Sequence, residues 1–144
     1  MIAIDTNLLV YAHRSTVGEH RAARRALEAA ARDAAGWGVA EPCLVEFWSA
    51  VTHPAAAGRP STAAEARAFI DGLVHEGAAH VWLPSPGFDG RLLAAAAGAN
   101  VKGPRIFDLQ IALIAQEHGA REIWTHDRNF VTVPGLRVVD PLRS

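Results

Sequence analysis

The chain has 144 residues, of which half are apolar and a fifth are charged, and its formal net charge is −1. This composition excludes a disordered or fibrous protein, and the length predicts a single α/β domain over residues 1–144 rather than two domains. The near-neutral charge excludes a global basic field for binding phosphate, although it permits a local basic patch.

The sequence offers no signal for export, membrane insertion or disulfide bonding. Its amino terminus has neither a basic flank nor an apolar run long enough for a signal peptide or a membrane span. The single cysteine, Cys43, excludes an internal disulfide and a zinc cluster built on several cysteines. We therefore expect a protein of the reducing cytoplasm that does not bind membranes.

Short apolar runs alternate along the chain with alanine-rich or amphipathic segments, which predicts strands alternating with helices. The predicted strands cover residues 1–4, 37–40, 80–83, 122–125 and 136–139. The first predicted helix begins after Asp5. The other predicted helices cover 20–35, 42–53, 62–76, 88–97 and 104–118. A capping-box pattern, Thr62 with Glu65, opens the fourth helix. This alternation favours a parallel sheet with helices on both faces.

Four acidic residues fall where such a sheet places its functional edge. Ligands of open parallel sheets bind outside the carboxyl ends of the strands. Asp5 directly follows the first predicted strand, and Asp127 lies two residues beyond the fourth. Glu46 and Asp108 lie early in two predicted helices, among apolar neighbours. We therefore expect these four side chains to meet at one edge of the sheet.

Each acid taken alone also has a structural interpretation. Asp5 can cap the helix that follows it, and a negative charge such as Asp108 is favourable near a helix start. Asp127 can be an ordinary turn residue, and Glu46 can pair with an arginine. Glu41 lies close to Glu46 and remains open as an alternative second acid.

The four acids are harder to explain as a group, because an unpaired buried carboxylate costs several kcal/mol. Two carboxylates about 4 Å apart repel by roughly 1 kcal/mol in water and by about 4 kcal/mol at an effective dielectric constant of 20. A cation must therefore compensate them. Oxygen ligands without a nearby thiol favour Mg2+, with Mn2+ as an alternative, and such ions serve phosphodiester hydrolysis.

The motifs around these acids resemble those of the PIN domain, and within it those of the VapC-type toxins of bacterial toxin–antitoxin pairs. The similarity runs through residues 4–9, 44–47, 107–112 and 124–130, which carry Asp5, Glu46, Asp108 and Asp127 in that order. It implies the PIN-domain fold, a five-stranded parallel sheet sandwiched between α-helices. It also implies a magnesium-dependent endoribonuclease that cuts RNA, forms a homodimer and has a cognate antitoxin.

The resemblance also implies a role for each site residue. Asp5 and Asp108 would be the metal ligands, with Glu46 and Asp127 completing the catalytic set. The supporting residues would be Thr6, Asn7 and Thr125.

Two other functions remain as alternatives. Asp5 could be the covalent nucleophile of a small-molecule phosphatase, but Asn7 stands where such enzymes place an acid, and an amide cannot serve as a general acid. A non-catalytic PIN-like module that only binds RNA or protein is the second alternative. The presence of all four acids argues against it.

Several basic and aromatic residues allow two interpretations. Lys102 and Arg105 lie close to Asp108, and four arginines crowd the second helix. They can form a local phosphate-binding patch or an ordinary solvated surface. His13 and His126 lie near acidic motifs and can tune substrate or metal, although exposed surface histidines are common. The four tryptophans are expected in the core: Trp37, Trp48, Trp82 and Trp124.

Overall fold

A computed structural model describes residues 1–56 and 58–143. Five short strands form one sheet in the order β3-β2-β1-β4-β5, and all neighbouring strands are parallel. The strands are β1 Ile2–Ile4, β2 Trp37–Ala40, β3 His80–Trp82, β4 Glu122–Trp124 and β5 Arg137–Val139. The predicted five-stranded parallel sheet between helices is confirmed.

Six α-helices connect the strands of the described chain. They are α1 Thr6–His13, α2 His20–Ala31, α3 Glu41–Thr52, α4 Ala63–Asp71, α5 Phe88–Gly98 and α6 Arg105–Glu117. The predicted capping box is present, since Thr62 and Glu65 each accept a hydrogen bond from the other's backbone N–H. Gly119, which has a φ of +95°, follows the end of α6, in a conformation that favours glycine.

The helix predicted over residues 62–76 has two parts. After α4 the chain continues as a π-helical turn, Gly72–Glu76, which the N–H of Gly77 closes by donating to the carbonyl of Gly72 at 3.0 Å. This bond spans five residues, which defines the wider π turn. The indole N–H of Trp37 donates to the carbonyl of Gly77 at 2.7 Å and fixes the end of the turn against β2.

The prediction that all four tryptophans lie in the core is wrong for Trp48. Trp37 and Trp82 are buried and Trp124 is partly buried, but Trp48 is 42% exposed. The buried stripe of α3 consists of Cys43, Phe47 and Val51, spaced four residues apart. Trp48 lies one position off this stripe and therefore points away from the sheet.

The register of the strands places the candidate site. Ile4 pairs with Trp124, and Trp124 pairs with Val139, so the three strands end in one row. The ladder continues one step further, because the N–H of Asp5 donates to the carbonyl of Trp124 at 3.0 Å. The N–H of Thr125 likewise donates to the carbonyl of Val139 at 2.9 Å. Asp5 and Thr125 are therefore neighbours at the carboxyl edge of the sheet.

None of the helices in the described part of the chain combines the length and the apolarity that crossing a bilayer demands.

Gly38 tests how tightly β2 and β3 pack. A Cβ atom at this position would lie 2.6 Å from the carbonyl oxygen of His80 and 2.8 Å from the Trp82 ring. We expect Gly38→Ala to lower the free energy of unfolding by about 1–3 kcal/mol, the usual cost of overpacking. Urea denaturation measures this loss. Gly90→Ala is the control, since Gly90 lies in α5 with no atom near its Cβ position, and it should gain about 0.4–1 kcal/mol. Equal stability of Gly38→Ala and wild type would contradict the packing.

Candidate active site

Asp5 is a buried carboxylate, 7% exposed, at the junction of β1 and α1. One of its oxygens accepts a hydrogen bond from the Thr6 N–H at 2.7 Å, so Asp5 does cap α1. Its other oxygen accepts from the Thr125 hydroxyl at 2.8 Å and from the Asn7 amide at 3.4 Å. The capping interpretation is therefore correct but accounts for only half of the carboxylate.

The electrostatics of Asp5 indicate a crowded acidic site. Burial raises the pKa of Asp5, and the negative charges of Asp108 and Asp127 raise it further. The hydrogen bonds from Thr125 and Thr6 act in the opposite direction but do not cancel this effect. Ionisation of Asp5 in the folded protein therefore carries an energetic cost that a bound cation would remove.

Asn7 and Thr125 connect the first and fourth acidic motifs. The Asn7 amide donates to the Thr125 hydroxyl oxygen at 3.0 Å, and its carbonyl oxygen accepts from the backbone N–H of His126 at 3.1 Å. The Thr125 hydroxyl oxygen also accepts from the backbone N–H of Asp127 at 3.1 Å. These bonds fix the loop that carries Asp127 against Asp5.

Asp108 and Asp127 share one counter-cation. Nη1 of Arg105 lies 2.9 Å from Oδ2 of Asp108 and 2.9 Å from Oδ2 of Asp127. Oδ1 of Asp127 accepts from the Asn129 N–H at 2.9 Å. Partial burial acts to raise the pKa of Asp127, but this backbone bond and Arg105 together lower it. These two acids are therefore compensated within the chain, whereas Asp5 is not.

Glu46 lies close enough to the other acids to interact with them. Burial raises the pKa of Glu46, and the negative charges of Asp5 and Asp108 add to the increase. Glu41 starts α3 and, like Glu46, is exposed. The charges of Asp5 and Asp108 act on Glu46, so it lies near both acids, and its choice as the second acid stays a prediction.

The side chains do not form a closed metal cage in this conformation. Within residues 1–56 and 58–143, no three His, Cys, Asp or Glu side chains converge in the manner of a metal site. The donor set nevertheless suits a hard cation, since Asp5, Asp108 and Glu46 offer only carboxylate oxygens, and the charge of Asp5 adds to the rise in the pKa of Glu46 that burial causes. The Thr6 hydroxyl is buried beside these acids, and its interaction with Glu46 acts against the rise in the pKa of that residue.

Other basic residues noted in the sequence have mostly structural environments. His13 contacts the rings of Phe47 and Phe69, with centroids 5.4 and 5.1 Å away, and its Nε2 lies 2.8 Å from the Ser61 hydroxyl. Three arginines of α2 and the arginine that follows the helix are exposed to solvent: Arg21, Arg24, Arg25 and Arg32. They therefore form a solvated face rather than a lining of the acidic site.

Sequence reasoning missed two partners at this edge. Arg105 was noted only as a neighbour of Asp108, although its position three residues earlier on a helix predicts a contact. His126 has an unforeseen partner in Asp140, whose Oδ2 lies 2.9 Å from its Nδ1. Asp140 follows β5 directly, so the carboxyl-edge rule that selected Asp5 would also have found it.

A sequence model of the PIN domain matches residues 2–136. The chain belongs to the PIN domain family. Within that family it is similar to Ribonuclease VapC24 of Mycobacterium tuberculosis, with 32% identity over 146 residues that cover 100% of this chain and 99% of that protein. The chain is thus a VapC-type PIN domain, a member of a family of ribonucleases.

Solved structures of PIN domains of this type share the fold at lower identity. VapC20 of Mycobacterium tuberculosis, described as a toxin that cleaves the sarcin–ricin loop, superimposes with a TM-score of 0.68 at 14% identity and covers 90% of this chain and 92% of its own. VapBC2 of Rickettsia felis, bound to a DNA fragment of its promoter, gives a TM-score of 0.66 at 19% identity, covering 96% and 98%.

The raised pKa of Asp5 predicts a pH-dependent effect of Asp5→Asn on the metal-free PIN domain. At pH 7 the variant removes a buried charge from a cluster of like charges, so it should melt above wild type in chelator, by about 2–4 °C for each kcal/mol. An acid whose pKa is raised by folding destabilises the protein above that pKa, and protonation removes this effect. The melting-temperature gap should therefore shrink as pH falls from 7 towards the ordinary aspartate value of 3.8.

The control for this experiment is Asp33→Asn. Asp33 accepts a hydrogen bond from the N–H of Ala35 in a turn after α2, which asparagine can also do. Calorimetric melting curves of the three proteins in chelator at pH 7, 6 and 5 give the comparison. A gap for Asp5→Asn that is absent at pH 7, or that widens as pH falls, would contradict the crowded-site interpretation.

Proposed function

We propose that this VapC-type PIN domain is a magnesium-dependent endoribonuclease, with Mn2+ as an alternative ion, and the toxin of a type II toxin–antitoxin pair. The observation that carries the proposal is the buried Asp5, which has a raised pKa among Asp108, Asp127 and Glu46. A carboxylate cluster of this kind repels the phosphate of RNA unless a cation is bound. Metal dependence follows from this repulsion.

In the proposed reaction Asp5 and Asp108 would hold the ion, and Glu46 and Asp127 would complete the catalytic set. When bound, the ion would stabilise charge on the phosphoryl oxygens and activate a water molecule. Thr125 and Asn7 donate hydrogen bonds to Oδ2 of Asp5, and the Thr6 N–H donates to Oδ1. Because both oxygens are bonded, the carboxylate cannot rotate freely. Such support by neighbouring hydrogen bonds is typical of functional metal sites.

The phosphatase alternative is disfavoured by the environment of Asn7. Its amide group and its carbonyl oxygen are both used to join Asp5, Thr125 and the backbone of His126. Asn7 therefore links these residues by hydrogen bonds, and its amide cannot act as the general acid that protonates a leaving group. The alternative of a non-catalytic binding module leaves the buried charge of Asp5 without a reason.

RNA and an antitoxin protein are the proposed partners. The similarity to VapC24, which is named a ribonuclease, and to VapC20, which is named a toxin that cleaves the sarcin–ricin loop, supports RNA as the substrate class. The similarity to the VapBC2 assembly supports an antitoxin partner. We propose a homodimer on the same family basis.

RNA cleavage should require Mg2+ or Mn2+ and should stop in excess chelator. Asp5→Asn and Asp108→Asn should each reduce it by more than about 100-fold, since loss even of residues that support metal ligands costs about 10- to 100-fold. Asp89→Asn, at an exposed position of α5, is the control and should retain activity. Electrophoresis of a labelled RNA pool with each protein measures this.

Three results of that experiment would count against the proposal in different ways. Cleavage that survives chelator would exclude the metal-dependent mechanism. Hydrolysis of p-nitrophenyl phosphate without RNA cleavage would favour the phosphatase. Activity on neither substrate would favour a binding module.

At 100 times its dissociation constant, Mg2+ should also stabilise wild type by about 2.7 kcal/mol and Asp5→Asn by much less.

The exposed apolar residues of α3 provide a test of the homodimer. Val45 is 65% exposed and Trp48 is 42% exposed, and both border a groove that also contains Ile70 of α4. Large exposed apolar side chains of this kind are typical of interfaces. Light scattering at micromolar protein should give the dimer mass for wild type and the monomer mass for Val45→Glu/Trp48→Glu. Monomer mass for wild type would remove the claim.

A further inference from the structure

The Arg105 side chain bridges two acids of the proposed metal site. A single nitrogen, Nη1, lies 2.9 Å from Asp108 Oδ2 and 2.9 Å from Asp127 Oδ2. The same oxygen of Asp108 also accepts a hydrogen bond from the backbone N–H of Val131 at 3.3 Å. Arg105 thus places a positive charge directly against the carboxylate that is proposed as a metal ligand, where it opposes the approach of a second cation.

The position of Arg105 in α6 is electrostatically unfavourable unless the acids explain it. It is the first residue of the helix, where the macrodipole disfavours a positive charge. The guanidinium has no other hydrogen-bond or ion-pair partner among the described side chains. The two carboxylates, which are only partly exposed at 18% and 34%, thus supply the attraction that holds it there.

The four acids fall into two electrostatic classes as a result. Asp108 and Asp127 have Arg105 between them, and the pKa of Asp127 is lowered, partial burial notwithstanding, by the Asn129 N–H and by Arg105. Asp5 and Glu46 have no basic partner in the described chain, and burial raises the pKa of both. Arg105 therefore compensates the negative charge of Asp108 and Asp127. It leaves Asp5 and Glu46 without a positive partner among the described side chains.

We propose that Arg105 is an internal counter-cation of the acidic site, which holds Asp108 and Asp127 in the metal-free protein and is displaced from Asp108 when a divalent cation binds. This inference rests on the proposed function, because it assumes that Asp108 is a metal ligand. Arg105 is then a positioning residue in the free protein and a competitor of the metal ion. Its partial exposure, 40% of the side chain, gives it room to swing into solvent.

A purely structural role for Arg105 predicts different behaviour. If the ion pairs only fasten the start of α6 to the loop of Asp127, their loss should lower the melting temperature equally with and without metal. Metal affinity would then stay the same. Competition instead predicts that the loss destabilises the metal-free protein and simultaneously tightens metal binding.

The experiment is a titration of Mn2+ into metal-free wild type and variants, with free Mn2+ counted by electron paramagnetic resonance. Arg105→Gln should bind Mn2+ about three- to fivefold more tightly, the upper end of the scale set by partly exposed ion pairs, because one guanidinium pairs with two acids. Arg105→Lys keeps a cation of similar reach and should bind within about twofold of wild type. Lys102→Gln is the matched control, since it removes an exposed charge three residues earlier that contacts no described acid, and it should also stay within about twofold.

Melting curves in chelator provide the second measurement, and Arg105→Gln should melt below wild type there. Equal or weaker Mn2+ affinity in Arg105→Gln would overturn the inference while leaving the metal site of the proposed function intact. A gain of similar size in Lys102→Gln would also overturn it, because general charge rather than competition would then be responsible. Absence of Mn2+ binding in every protein would overturn the proposed metal site and the inference together.

Discussion

The hydrogen bonds around Asp5 are the constraint on which the site and much of the sheet edge depend. Burying a carboxylate costs several kcal/mol unless donors surround it, and here the donors come from opposite ends of the chain. Thr6 and Asn7 follow Asp5 directly, whereas Thr125 lies 120 residues away. The same hydrogen bonds therefore fix the start of α1, the pairing of β1 with β4 and the orientation of the carboxylate.

These hydrogen bonds leave the negative charge of Asp5 without a positive partner among the described side chains. Neutral donors offset part of the desolvation of Asp5, yet burial, with a smaller addition from the charges of Asp108 and Asp127, keeps its pKa raised. Arg105 forms ion pairs with Asp108 and Asp127 but not with Asp5. A fold that had evolved for stability alone would place an apolar side chain or asparagine at position 5, so the imbalance is evidence of a site.

Much of the fold could be predicted because each strand is a short apolar run between helices with clear boundaries. The site acids followed from the rule that parallel sheets bind ligands at their carboxyl ends, which selected Asp5 and Asp127. The side chain that balances them was beyond sequence reasoning, since the bridge of Arg105 to Asp127 spans 22 residues and depends on the loop conformation. The exposure of Trp48 and the π turn at Gly72–Glu76 similarly depend on packing partners rather than on local pattern.

The carboxyl edge must hold some residues rigidly and let another one move. This difference explains why its residues differ so much in burial. Residues that must not move, Asp5 and Thr125, are buried at 7% and 1% exposure and are linked by hydrogen bonds to the backbone ladder. The residue that must yield to an incoming cation, Arg105, is 40% exposed and is held by ion pairs to two partly exposed side chains. Exposed ion pairs are weak and break without disturbing the core. A rigid carboxylate beside a displaceable cation lets the edge remain folded without metal while still favouring metal when it arrives.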